Sequence, residues 1–372
     1  MNLCLPPRPA SMPRGKRILV WFWSHGGGGS QFAANLAYRL GVEFGHDRVV
    51  LSLASHDPTV VSARARGVEV RTADIVSDRR RPLESIIGLA KSANTIAQHA
   101  HDCDVLIAAM NFATLAPLST TISKPLVYCA HDPSPHAGDY AAFGQRVTQS
   151  WLLKRADQVV ALSNYAADIL RADPGVAARL RVAPLSSVFE PREAQAKRDG
   201  PLRFLFAGRM IAYKGLDLLA DALDLLPPSD LWRLTIAGTG PALTGELTRR
   251  LTRRGAEVFD RRFSEAELAQ LFAESDVILA PYIEASQSGV VSDGLAAGKP
   301  CVVTAVGGLP EQIGFGSAGW IARERTSAAL ARTIELAVYD DQARVNLSAG
   351  SKTLGIEFWK GNVWGWLDQF LA

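Results

Sequence analysis

Short runs of β-branched and aromatic residues alternate along the chain with longer stretches whose apolar positions recur at helical spacing. In the first half the runs fall at residues 17–23, 48–53, 68–71, 105–109, 125–130, 158–161 and 181–183. Helical periods fit between them, among others at 30–43, 82–98, 141–154 and 164–172. The alternation predicts a mostly parallel sheet with helices on both faces. A polar stretch carrying Pro and Gly, SSVFEPREAQAKRDGPLRF at 186–204, reads as a linker. The pattern then restarts, with runs at 203–207, 232–237, 258–260, 277–280 and 300–304. The expectation is two Rossmann-like, doubly wound α/β domains in tandem, at 17–190 and 191–355. The tail 356–372, with Phe358, Trp359, Val363, Trp364, Trp366, Phe370 and Leu371, is too apolar for a free end and is expected to pack back on the first domain. Residues 1–16 carry Pro where a signal peptide needs a continuous apolar segment, so they read as a disordered lead-in, with Met1 or Met12 as the start.

Composition narrows the class. A chain of 372 residues with 48% hydrophobic and 21% charged residues fits a soluble globular protein with more than one core. A net charge of +3 suits an anionic small ligand or an anionic membrane surface and falls short of a nucleic-acid binder. Cys4, Cys103, Cys129 and Cys301 lack metal-ligand spacing. The last three sit in or beside apolar runs and read as packed thiols in a reducing cytoplasm. No apolar stretch is long enough to span a bilayer.

Candidate chemistry begins at GGGGS, residues 26–30, between the first strand and a helix. Gly27, Gly28 and Gly29 either make a tight turn or let a ligand approach bare backbone at the carboxyl end of a strand. The dinucleotide fingerprint fails because Gln31 holds its third Gly position, and no P-loop Lys follows. A second strand-to-helix loop, FLFAGRMIAYKGLDLL, places Arg209 after Gly208 and Lys214 before Gly215. The two cations are either solvated charges or a pair converging on one anion. The third segment is LAPYIEASQSGVVSDGLAAGKPCVVTAVGGLPEQI. Here a small-residue loop opens a helix, so the amides of Ser288, Gly289 and Val290 would face outward at its positive end, a site for phosphate. Asp293 follows as an acceptor for ribose hydroxyls. Gly307 and Gly308 open another helix, with Glu311 just inside it.

These segments, together with IAGTGP at 236–241, resemble the donor-binding domain of a family 4 glycosyltransferase (glycosyl transferases group 1) of GT-B architecture, in its Gln-Ser-Gly branch. CAHDPSPHAGDY at 129–140 and ADQVVALSNYAADIL at 156–170 extend the resemblance into the first domain. It implies two domains facing across a cleft. Arg209 and Lys214 would bind the donor's pyrophosphate, with Ser288, Gly289 and Val290 capping it, and Gly208 and Gln287 would belong to the same donor site. Asp293 matches the family's ribose-contacting Glu. The partner Glu of that motif is replaced by Ala285, and Glu284, one position off, is kept as a donor-site candidate but not as a nucleophile. His131 matches a histidine that touches the donor sugar. Asp132 either lines the same edge or makes an Asx turn beside Pro133, and His136 is a further candidate there. The glycine loop would form the acceptor side of the cleft.

The implied reaction is sugar transfer from a nucleotide-diphosphate sugar to an acceptor hydroxyl, with retention of configuration. The departing phosphate takes the proton, and neither metal nor cofactor is required. The acceptor would be a glycan or a lipid-linked molecule of surface-polysaccharide or glycolipid synthesis, handled in the cytoplasm or at the inner face of an anionic membrane. Basic clusters at Arg79, Arg80 and Arg81 and at Arg249, Arg250, Arg253 and Arg254 either favour such a surface or are solvated faces. Asp102 and Asp104 in HDCD resemble a metal motif, but they precede a strand and read as its solvated entrance. The rivals are an NAD-dependent oxidoreductase, which needs an acid ending the second strand where Asp57 comes too late, a nucleotide-sugar epimerase, and a non-catalytic sugar binder.

Overall fold

The computed structural model describes residues 16–24, 27–75, 82–112, 114–133, 142–191, 200–227, 230–360 and 364–371. The lead-in up to residue 15, the linker core 192–199, Gly26, Val363, His136 and the Arg79, Arg80 and Arg81 cluster lie outside the described residues. The chain divides into two compact units. One comprises Met1–Ala161, Ile169–Ala183 and Asn362–Ala372; the other comprises Leu162–Asp168 and Pro184–Gly361.

The first unit holds β1 (Ile18–Trp21), β2 (Val49–Ala54), β3 (Glu69–Ala73), β4 (Val105–Ala108), β5 (Leu126–Ala130), β6 (Gln158–Ala161) and β7 (Leu180–Val182). They form a seven-stranded sheet in the order β3-β2-β1-β4-β5-β6-β7. The second unit holds β8 (Leu202–Ala207), β9 (Trp232–Ala237), β10 (Ala256–Phe259), β11 (Val277–Ala280), β12 (Cys301–Thr304) and β13 (Gly319–Ala322), in the order β10-β9-β8-β11-β12-β13. Every strand pair is parallel. Parallel strands need crossovers, and helices covering both faces bury both sides of each strand. In β8, Phe204 and Phe206 pack with Leu219, Leu223 and Ile236, whereas Leu205 and Ala207 face Ile278, Leu295 and Val303. In both units the order reverses beside a first strand, β1 and β8, so ligands belong at the carboxyl ends of β1 and β4 or of β8 and β11.

Register is fixed by a device that recurs in both units. Asp104, Asp157 and Asp276 each precede a strand, and each carboxylate accepts the first free amide of the neighbouring strand. The donors are Arg17 N at 2.7 Å, Leu126 N at 2.8 Å and Arg203 N at 2.9 Å. A strand's leading N–H has no ladder partner, and a charged acceptor stabilises it by about 1.5–3 kcal/mol. The expected solvated entrance at HDCD is therefore corrected. Asp104 closes the start of β1, and Asp102 pairs with Arg17 and, at 2.6 Å, with Arg71.

Residues 362–372 belong to the first unit, although the helix before them, Asp341–Lys360, belongs to the second. Trp364, Leu367 and Leu371 are buried, and Gln369 Nε2 donates to Gln158 Oε1 at 3.3 Å. Among the described residues, no helix is long and apolar enough to cross a membrane.

Asp276 also holds the Arg203 guanidinium, with Nη2 to Oδ1 at 2.7 Å and Nε to Oδ2 at 3.0 Å. Asp276→Ala is expected to destabilise the protein by about 2 kcal/mol in urea unfolding, and Asp276→Asn by less, because the amide keeps an acceptor. Equal losses for Ala and Asn would show that the amide bond contributes nothing.

Candidate functional site

After β8 the chain turns at Gly208, passes the exposed Arg209, and makes a short 3₁₀ turn, Ala212–Lys214, before the helix Leu216–Leu225. Gly215 explains why Lys is followed by Gly. Its φ is +72°, and a Cβ there would lie 2.0 Å from the Pro281 carbonyl oxygen. The loop can therefore lie directly on the end of β11, which brings Lys214 to Tyr282. Lys214 Nζ donates to Tyr282 Oη at 2.8 Å and stands 4.6 Å from the ring centroid. Gly208, at φ +109°, leaves room for this arrangement, since a Cβ on it would sit 3.1 Å from Lys214 Nζ and 3.4 Å from Val290 Cγ2. The ammonium and the start of the helix Gly289–Ala296 thus share one bare stretch of backbone.

Ser288 caps that helix. Its Oγ accepts from Val291 N at 3.3 Å and donates to Tyr282 Oη at 3.1 Å. One expectation is corrected here: the Ser288 amide is not available to a ligand, because it donates to Gln312 Oε1 at 2.9 Å. Gln312 Nε2 in turn donates to Ser288 O at 2.8 Å and to Ser292 Oγ at 2.7 Å. The outward amides are those of Gly289 and Val290, the first two of the helix, which have no acceptor within it. Gly289 is exposed, with open space where a side chain would stand. The Arg209 head group makes no hydrogen bond or ion pair with the described residues and is free to turn toward an anion. Lys214, Gly208, Tyr282, Ser288 and Val290 are therefore brought together, with Arg209 exposed in the same loop as Lys214.

Asp293 is partly buried, and its Oδ1 accepts from Ser187 Oγ at 2.7 Å and Val188 N at 3.2 Å. Ser292 Oγ donates to Leu185 O at 2.7 Å, so the helix anchors the chain where it enters this unit. Gln287 is buried and Glu284 half-buried in the loop before the helix. Gly307 and Gly308 lie against backbone, since their Cβ atoms would fall 1.5 Å from Ala285 O and 2.2 Å from Ser286 O. Glu311 is committed elsewhere, accepting from Asn164 N and Nδ2, both at 2.8 Å, and from Tyr165 N at 3.1 Å. In the basic cluster, Arg250 pairs with Asp221 and Asp224, and Arg254 lies 3.7 Å from Asp224, leaving Arg249 and Arg253 exposed.

In the first unit, Gly27 starts the helix Gly28–Phe44 with φ +98°. Gly28 faces open space, and a Cβ on Gly29 would meet Phe22 at 2.6 Å, so the loop combines a turn with bare, accessible backbone. Asp57 is buried, accepting from Ser30 Oγ and from Thr59 N at 2.9 Å. His131, half-buried after β5, packs edge-on to Phe32 at 6.1 Å, with Nδ1 3.4 Å from Asp132 Oδ2. The Asp132 carbonyl accepts from Gln149 Nε2 at 2.7 Å.

Two parallel-sheet units of this order, with an anion-ready helix start in the second, define the GT-B glycosyltransferase fold. The Anabaena HepE protein crystallised with UDP-glucose superposes with a TM-score of 0.72 over 92% of this chain and 95% of its own, at 21% identity. The chain belongs to the family 4 glycosyltransferases: the family described as Glycosyltransferase Family 4 matches residues 26–185, and Glycosyl transferases group 1 matches 201–340. Curated relatives match over less of their length. The D-inositol 3-phosphate glycosyltransferase of Pseudarthrobacter chlorophenolicus is 35% identical over 201 residues, 49% of this chain and 45% of that protein. The Jonesia denitrificans protein of the same description is 32% identical over 164 residues, 41% of this chain and 39% of its own length. The matched stretches thus span less than half of these two relatives.

Sequence reading missed Tyr282 and Gln312. The signal for Tyr282 was its place at a strand's carboxyl end two residues beyond β11; nothing local marked Gln312.

Burial pushes the Asp293 carboxyl up to about 7, against the pull of its Ser187 and Val188 bonds. A carboxyl raised above its unfolded value near 4 contributes stability present below about pH 4 and lost as pH rises through about 7. Asp293→Asn should therefore gain on the wild type with rising pH. Its melting temperature relative to wild type is expected to be higher at about pH 8 than at about pH 5. A pH-independent difference would mean the carboxyl titrates normally.

Proposed function

We propose that the chain is a retaining glycosyltransferase that moves a sugar from a nucleoside-diphosphate sugar to an acceptor hydroxyl. The observation that carries this reading is Lys214 held beside the open start of the helix Gly289–Ala296, a cation and two amides disposed for one doubly phosphorylated group. Family membership supports it, as do the relatives named as inositol-phosphate glycosyltransferases and the HepE structure with UDP-glucose.

In the proposed reaction the bond from the anomeric carbon to the diphosphate oxygen breaks, and a bond from that carbon to the acceptor oxygen forms on the same face. The acceptor proton passes to the departing diphosphate. Negative charge grows on the leaving oxygens, and groups already aimed at it lower the barrier without reorganising. Lys214, Arg209 and the Gly289 and Val290 amides fill that role, and no metal is invoked. Asp293 is assigned the ribose hydroxyls through the carboxylate oxygen opposite the one bonded to Ser187. A glycan or lipid-linked acceptor fits the family.

Thermal unfolding with UDP, GDP, ADP and NAD, in the presence of EDTA, tests the class. One nucleoside diphosphate is expected to raise the melting temperature, and a rise with NAD alone would reject the transferase. Lys214→Ala and Arg209→Ala should each lower the turnover of donor sugar by about 10- to 150-fold, the equivalent of one charged hydrogen bond, with little change in melting temperature. Near wild-type turnover in either variant would remove that residue from the diphosphate site.

A further inference from the structure

We propose that the Tyr282 hydroxyl is the positioning group that sets the Lys214 ammonium against the start of the helix Gly289–Ala296, so that the cation is in place before the donor arrives. The inference rests on the reading of that site as the diphosphate cradle.

Tyr282 is 2% exposed, and its phenol oxygen is the polar end of a side chain otherwise packed in the core between the sheet and the helix Gly289–Ala296. Its backbone carbonyl is held by Thr304 Oγ1, and its ring meets Tyr213 edge-on at 6.3 Å, so the side chain starts from a fixed base. Burying a hydroxyl is costly unless it is hydrogen-bonded, and Phe would fill the same space without that cost. The oxygen must therefore be accounted for by its partners, which are Lys214 Nζ at 2.8 Å and Ser288 Oγ at 3.1 Å.

An ammonium can only donate, so Tyr282 Oη accepts from Lys214. Ser288 Oγ is fixed by the Val291 amide, so one buried oxygen ties the cation to the residue that caps the helix. A lysine carries about 2 kcal/mol of rotamer freedom, which would otherwise be lost on binding. Hydroxyl and ring face remove much of it beforehand, and preorganisation of this kind strengthens binding without adding a contact to the ligand.

A double-mutant cycle separates positioning from packing. The affinity of whichever of UDP, GDP and ADP gives the largest thermal shift is measured by calorimetry for wild type, Tyr282→Phe, Lys214→Met and the double variant. Tyr282→Phe is expected to weaken binding by about 5- to 20-fold in wild type and by less than about 2-fold in the Lys214→Met background. With turnover, kcat should fall along with donor affinity, because the displaced cation also serves the leaving group. Equal losses in both backgrounds, or no loss in wild type, would overturn the positioning role. If Lys214→Met itself leaves affinity unchanged, it is the reading of the cradle that fails. Tyr282→Leu, which also lacks the oxygen, replaces the Phe variant should that one not fold, with the same two outcomes expected.

Discussion

Where the chain leaves β8 it runs against the Pro281 carbonyl, so closely that position 215 has no room for a side chain. The Lys214 ammonium reaches Tyr282, Tyr282 reaches Ser288, and Ser288 closes the first turn of the helix beyond, each step following from that backbone contact. Gly208 completes it by leaving nothing between the ammonium and Val290. The site is therefore a property of two loops packed main chain to main chain, with few long side chains reaching across solvent. Main-chain packing of this kind holds a site in shape without a ligand, which the proposed electrostatic stabilisation of a leaving group requires.

The charges around it are arranged with similar economy. A helix start supplies partial positive charge and Lys214 a full one, while Asp293, about one turn further along the same helix, is desolvated enough that burial pushes its carboxyl up to about 7. Glu311, a nearby acid in sequence, is turned to the amides of Asn164 and Tyr165. Of these two acids, one is thus desolvated by burial and the other occupied by backbone amides.

Most of the fold was legible because a parallel strand covered on both faces must be apolar along its whole length, and such runs stand out between helical periods. β6, β9 and β11 fall where the runs were read, and the others shift by a residue or two at their ends. β13 escaped notice because it opens on Gly319, whose missing side chain lets it lie on Cys301, and it offers too short a run. In the site, Lys214 and the helix start were legible as a loop pattern. The loss of the Ser288 amide was not, because its acceptor, Gln312, comes from another helix 24 positions on. By its ring Tyr282 is core; only the partners of its oxygen, from two separate segments, give it another role.

The excursion of Leu162–Asp168 into the second unit, between stretches that belong to the first, has a consequence for anyone wishing to take the protein apart. The Ser163 hydroxyl donates to the Ser286 carbonyl, and Glu311 holds the two amides that follow. Scission at 183/184 would strand these residues on the wrong fragment, and the C-terminal peptide Asn362–Ala372 would be misassigned in the opposite sense. Neither unit is one continuous stretch of chain, so grafting one half onto a foreign partner would require rerouting the polypeptide at both crossings.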